Sequence, residues 1–377
     1  MGVLLRGSSL RPLCCVSIAA AVAMLVIYAA QPLLAQDTFC APGYAAVADS
    51  VAAQFDTHQF VFMGSTHGWK KQHDFQQCLL SRQAFQRRVT DVMVEWANPV
   101  YQDLVDRYLL KLEPIPIDTL APAWINTDAP DLWGRLTLMP AFYEAVRAIN
   151  QHLEPARRIR VIGGNEPIDW SKVETQEDVA RYAYKSNWAA HVIMEHYAPD
   201  PSHKLFVIYG EGHVNRRGTL TAEARLKVSL DQWFMVGVIR ERGDDGNLIA
   251  RLGDPAQPFY AGADKLLKTP PYPRDLSIAQ QQPLESIINA VVYLGPGPDR
   301  SMSNAVDLTP AHQAELARQV RIKGDLTQLM RLRYGHRAEW FGTHPHDIPP
   351  RPPDRIGDQF ISRPSKPLQR RTAGRPR

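Results

Sequence analysis

Two short stretches of the chain share one pattern of residues suited to acid–base or metal chemistry. Gly64-Ser65-Thr66-His67 and Gly210-Glu211-Gly212-His213 each place a histidine three residues after a glycine. Each glycine closes a short apolar run, Gln59–Met63 in one case and Lys204–Tyr209 in the other. A third run ends in Val94-Glu95-Trp96, and a fourth, Arg158–Ile162, closes on Gly163-Gly164-Asn165-Glu166, with Asp169 and Trp170 following. Imidazole titrates near neutrality, so histidine beside a carboxylate can move protons or ligate a metal ion. His67, Glu95, Glu211 and His213 are therefore the candidates. A lone strand-end histidine is more often a hydrogen-bonded turn residue. Glu95 alone could serve as the dipole partner of a following helix. Independent turn histidines, however, have no reason to repeat a spacing.

The elements that would position these residues follow from apolar patterning. Short apolar runs, several of them closed by glycine, predict strands at 59–63, 89–96, 158–162, 204–209, 233–241 and 290–294. Helical patterns separate them: one starting at Asn98-Pro99 with Val100, Leu104, Val105, Tyr108 and Leu109 on one face, then 137–153, 175–197, 219–230 and 309–334. Asparagine suits the N-cap, and proline tolerates the first helical position, where its missing N–H costs nothing. Strands alternating with helices predict an α/β fold, a largely parallel or mixed central sheet flanked by helices. Ligands of such sheets bind outside the strand carboxyl ends, so the four chemical clusters are expected to converge there. The Pro- and Gly-rich stretch 253–283 reads as an excursion from the sheet.

This constellation resembles the superfamily that joins Tiki/TraB proteins, erythromycin esterase-like proteins and ChaN-like haem-binding proteins. The resemblance spans residues 55–300 and includes Val94-Glu95-Trp96 and Tyr293-Leu294-Gly295-Pro296. It implies a hydrolase in which His67 and His213 are the paired histidines and Glu95 the intervening acid. In a metal-assisted version a divalent ion sits on His67, Glu95 and His213, leaving an open position for substrate, and Glu211 is the general base. Without metal, His67 activates water and Glu95 orients it, while Lys185 or Arg181 balances the negative charge of the intermediate. The alternative is haem or other ligand binding through His67, His213, Tyr101 or Tyr209, walled by Trp69, Trp96 and Trp170. Two departures stand out: Ser65 replaces the family's glutamate, and the family's helix arginine has only Arg181 or Lys185 to stand for it. They motivate a third reading, a catalytically lapsed member.

The charges do not support a nucleic-acid-binding core. The 377 residues hold 43 Lys+Arg against 39 Asp+Glu, a formal +4. Residues 1–35 carry +2 and residues 343–377 carry +5, so the body between them is −3. Arg6 and Arg11 precede an apolar stretch, 13–34, and a polar shift after Ala35, the layout of a secretory signal or retained N-terminal anchor. Export to the periplasm or beyond is expected either way, with membrane contact confined to that segment. The tail from 343 has eight prolines in 35 residues and is expected to be disordered. Between them, 36–342 reads as one domain acting on a small-molecule or peptide substrate. Cys40 and Cys78 are the body's two cysteines, either paired or both reduced.

Overall fold

A computed structural model describes residues 39–134, 137–182, 187–214, 227–240, 255–263, 288–297 and 308–324, with positions 220, 224 and 249. The segment 13–34, the tail from 343 and Lys185 lie outside these residues. Among the described residues no helix is long and apolar enough to cross a membrane.

Seven strands form one sheet: β1 (Phe60–Ser65), β2 (Asp91–Val94), β3 (Arg160–Gly163), β4 (Leu205–Gly210), β5 (Trp233–Ile239), β6 (Phe259–Gly262) and β7 (Ala290–Tyr293). Their order is β3-β2-β4-β1-β5-β7-β6, and every pairing is parallel except the antiparallel β6–β7 edge. A parallel sheet must be covered on both faces, which explains why its strands read as continuous apolar runs rather than as alternations. Val61 and Met63 of β1, with Phe206 and Ile208 of β4, face one apolar layer. Phe60, Phe62, Leu205, Val207 and Tyr209 face the other.

Helices α1 (Tyr44–Ala53), α2 (Lys70–Ser81), α3 (Gln102–Leu109) and α4 (Leu138–Gln151) cover the first face, and α5 (Gln176–Tyr182), α6 (Asn187–Val192) and α7 (Pro310–Lys323) follow. The expected N-cap at Asn98 is present: its Oδ1 accepts the Val100 N–H at 2.9 Å, and Pro99 opens a short 3-10 turn leading into α3. Of the helix expected over 175–197, α5, α6 and a π-turn at Ile193–Tyr197 that continues α6 are described, and 183–186 lie outside the described residues. Gln59 closes the end of that π-turn. Its Nε2 donates to the carbonyls of Tyr197, Asp200 and His203 at 2.7, 2.9 and 3.0 Å, tying the start of β1 to the turns that follow the helix. The expected excursion over 253–283 holds a strand, β6, which the sequence pattern missed. The helix expected over 219–230 falls largely outside the described residues, and α7 is described as far as Lys323.

Cys40 and Cys78 are joined in a disulfide that ties the segment before α1 to the last turn of α2. Closing a separation of 38 residues in the unfolded chain stabilises the fold by about 3–4 kcal/mol. Replacing both cysteines by serine is expected to lower the urea-derived unfolding free energy by about that amount; an unchanged midpoint would show that the bridge carries no stability.

Candidate functional site

The sheet register brings the candidates together. Ser65 at the end of β1 pairs with Gly210 at the end of β4, so His67 and His213 leave neighbouring strands two and three residues later. On the other side of β4, Val94 pairs with Ile208, and the Glu95 N–H continues the ladder to the Ile208 carbonyl at 3.0 Å. Gly210 therefore lies between Glu95 and the turn carrying His67. A Cβ on Gly210 would stand 3.1 Å from Glu95 Oε2, 3.3 Å from His213 Cδ2 and 3.5 Å from His67 Nε2. The three side chains close on that position, so a Cβ there would need Glu95 and His213 to give by a few tenths of an ångström. Gly210→Ala is thus expected to displace Glu95 and His213, lowering any activity of the site at least tenfold while the circular dichroism spectrum is kept; wild-type activity in this variant would refute the convergence.

Glu95 is the buried centre, 1% exposed. Its Oε2 accepts the Gly210 N–H at 2.7 Å, which helps compensate the cost of burying its charge. His67 Nε2 stands 3.6 Å from Oε2 and His213 Nε2 4.0 Å from Oε1, with imidazoles 35% and 22% exposed. One carboxylate therefore faces two solvent-reachable imidazoles, one toward each oxygen.

Each member is held by its own supports. Past β1, Gln72 accepts the Thr66 N–H at 2.9 Å and donates to the Gly64 carbonyl, pinning the turn to the first coil of α2. Gly68, at φ 74°, makes the reversal after His67. The Glu95 backbone is held from β3: Asn165 Nδ2 donates to its carbonyl at 3.1 Å and to Asp128 Oδ1 at 2.8 Å. Asn98 fixes the next residues by donating to the carbonyls of Asn126 and Ile168. Trp133 stands edge-on to His67 with ring centroids 4.5 Å apart, and Tyr209 edge-on to His213 at 5.5 Å.

The other expected residues find different places. Glu211 lies in the short helix Glu211–Val214, its Cγ against Gly64 where a Cβ would approach to 2.7 Å. Arg181 is in α5, and nothing is described of its side chain; Lys185 is outside the described residues. Tyr209 is a wall rather than a haem ligand: it is buried, and its hydroxyl donates to the Gly164 carbonyl at 3.0 Å. Tyr101 accepts from Asn126 Nδ2, and Trp170 is buried with its indole donating to Thr127. Glu166 is buried at the end of β3 and accepts the Trp188 N–H at 3.4 Å; Asp169 caps the turn Trp170–Lys172. Trp133 was missed, because a tryptophan in an irregular connection has no periodicity to mark which way it points.

Two imidazoles and a carboxylate are the right donor types for a divalent ion. Tetrahedral zinc with ligands at ~2.0–2.1 Å separates its donors by about 3.3 Å, whereas these are spread to 3.6 and 4.0 Å. Among the described residues no group of three His, Cys, Asp or Glu side chains is arranged to hold a metal ion. The metal expected on His67, Glu95 and His213 does not fit the donor spacing of this arrangement.

No family model matches the chain, and no curated protein matches it. Two solved structures are similar at low identity. One is a Bacillus cereus protein, with TM-score 0.41 and 10% identity over 64% of this chain and 89% of that one. The other is ChaN of Campylobacter jejuni, a structure of cofacial haem binding, with TM-score 0.35 and 11% identity over 52% of this chain and 87% of that one.

Proposed function

We propose that the chain is an exported hydrolase that cleaves an ester or amide bond in a small-molecule or peptide substrate with His67, Glu95 and His213. The observation that carries this reading is the buried Glu95 carboxylate facing two accessible imidazoles at 3.6 and 4.0 Å. Both gaps exceed a direct hydrogen bond and suit contact through one water molecule. His67 Nε2 takes a proton from that water as its oxygen attacks the acyl carbon. Glu95, fixed by the Gly210 N–H, stays ionised and stabilises the imidazolium that forms. When the tetrahedral intermediate collapses, His213 delivers a proton to the departing alcohol or amine, and solvent restores both histidines. Trp133 and Tyr209 limit how each ring can turn. The Cys40–Cys78 disulfide and the basic, apolar start of the chain support export.

A panel of p-nitrophenyl esters and amino-acid anilides tests the reading. The wild type is expected to hydrolyse at least one of them and folded His67→Ala to lose that activity; unchanged turnover by His67→Ala would reject it. Titration with haemin separates the binding alternative. No Soret shift is expected, whereas a stoichiometric Soret band abolished by His67→Ala would replace the hydrolase with a haem carrier.

A further inference from the structure

Helix α2 turns an unusual face inward. Trp69, just before it, and Gln72, His73 and Gln76 fall at i, i+3, i+4 and i+7, and all four are buried. Gln72 is committed to the turn that carries His67. The others differ. His73 Nδ1, Gln76 Nε2 and Oε1, and the indole N–H groups of Trp69 and Trp96 are buried with no hydrogen-bond partner among the described residues. These residues adjoin: the Trp96 ring lies 5.3 Å from the His73 ring, and Trp69 and Gln76 are one turn to either side of His73. Buried polar groups are satisfied in about 90% or more of cases, by protein or by ordered water. Five unsatisfied atoms in one neighbourhood therefore ask for an occupant.

We propose that His73, Gln76, Trp69 and Trp96 enclose ordered internal water behind the candidate site. The inventory of donors and acceptors selects water. The two indoles and the Gln76 amide nitrogen donate, Gln76 Oε1 accepts, and neutral imidazole nitrogen can do either. A cation would meet mostly N–H groups. An anion would find no countercharge, because burial, with the charges of Lys70 and His67 adding, pushes the His73 pKa down to about 3 and keeps the ring neutral. Water both donates and accepts, and buried waters typically make about three such bonds. The site has a structural consequence. Trp96 directly follows Glu95, while α2 holds the His67 turn through Gln72, so the water joins the supports of both residues. None of this depends on hydrolysis.

A crystal structure of the full chain that resolves solvent is expected to show water within ~2.7–3.2 Å of His73 Nδ1 and of Gln76. Water 17O relaxation dispersion gives the second readout. Gln76→Met keeps the side-chain length but removes both polar atoms, so it should lose at least one long-lived water and lower Tm. Trp96→Phe, removing a single indole N–H, should shorten the water's residence time if Gln76→Met does not fold. A dry interior in the wild type, density for another molecule, or a Gln76→Met protein with the same water count and a higher Tm would each overturn the proposal.

Discussion

Glu95→Gln is expected to cut hydrolytic turnover by about 10²–10⁴-fold while leaving the protein at least as stable as the wild type. The amide oxygen can still accept the Gly210 N–H that Glu95 Oε2 accepts at 2.7 Å, so the local geometry survives. The negative charge does not. His67, 3.6 Å away, then loses the counterion for its imidazolium, and His213 loses the same support from the other oxygen. Removing an ionised group from a site 1% exposed also relieves a desolvation cost, which favours the folded state. Loss of activity with equal or higher Tm is the signature of a residue retained for chemistry. Loss of activity together with a large drop in Tm would instead mark Glu95 as structural. The measurement pairs a thermal melt with kcat on the best ester or anilide substrate.

The largest expected effect on stability lies at the opposite end of the sheet. Asp91 opens β2, buried, and accepts hydrogen bonds from the Tyr197 hydroxyl at 2.8 Å and from His203 Nε2 at 2.7 Å. Its partner in the β2–β3 register is Arg160, whose guanidinium is paired with Asp106 at 2.7 Å. Asp91→Ala leaves His203 and the Tyr197 hydroxyl without that acceptor in a buried setting and is expected to cost about 3–5 kcal/mol, measured by urea unfolding. The same contact makes stability depend on pH. Burial opposes a charge on His203, but the hydrogen bond and attraction of Asp91 outweigh it, so the folded pKa lies above the ordinary 6.5. The folded state then binds the proton more tightly than the unfolded chain. The stabilisation is complete below about 6.5 and is lost as pH rises through the raised folded value. Wild-type Tm should fall across that interval. In Asp91→Asn the step should shrink, and an identical profile in that variant would show that His203 does not report on Asp91.

The strands bearing the candidate site were readable because short apolar runs, closed by glycine in β1 and β4, mark their length and their ends. The expected 59–63 and 204–209 became Phe60–Ser65 and Leu205–Gly210, and the α/β architecture followed from the helices between them. Strand β6 escaped because it is an edge strand, half-buried throughout, inside a Pro- and Gly-rich stretch with no apolar pattern. The π-turn that closes the helix expected over 175–197 escaped for another reason. The chain leaving it is tied to Gln59, more than 130 residues away, whose amide donates to the carbonyls of Tyr197, Asp200 and His203. Among the site residues, His67, Glu95 and His213 were visible by type and placement. Their supports were not: Gln72, Asn165 and Trp133 are ordinary residues until the sheet register brings their partners within reach. Tyr209 shows the converse error, since a tyrosine at a strand end looks like a ligand until its hydroxyl is found on the Gly164 carbonyl.

The claim that His67 and His213 serve one centre through Glu95 is tested most directly by kcat/KM of His67→Ala, His213→Ala and the double variant on one substrate. Residues that act as a unit lose nearly everything with the first substitution. The double variant is therefore expected to be no more than a few-fold slower than the worse single variant. Losses that multiply would show two histidines acting independently and would contradict a shared site.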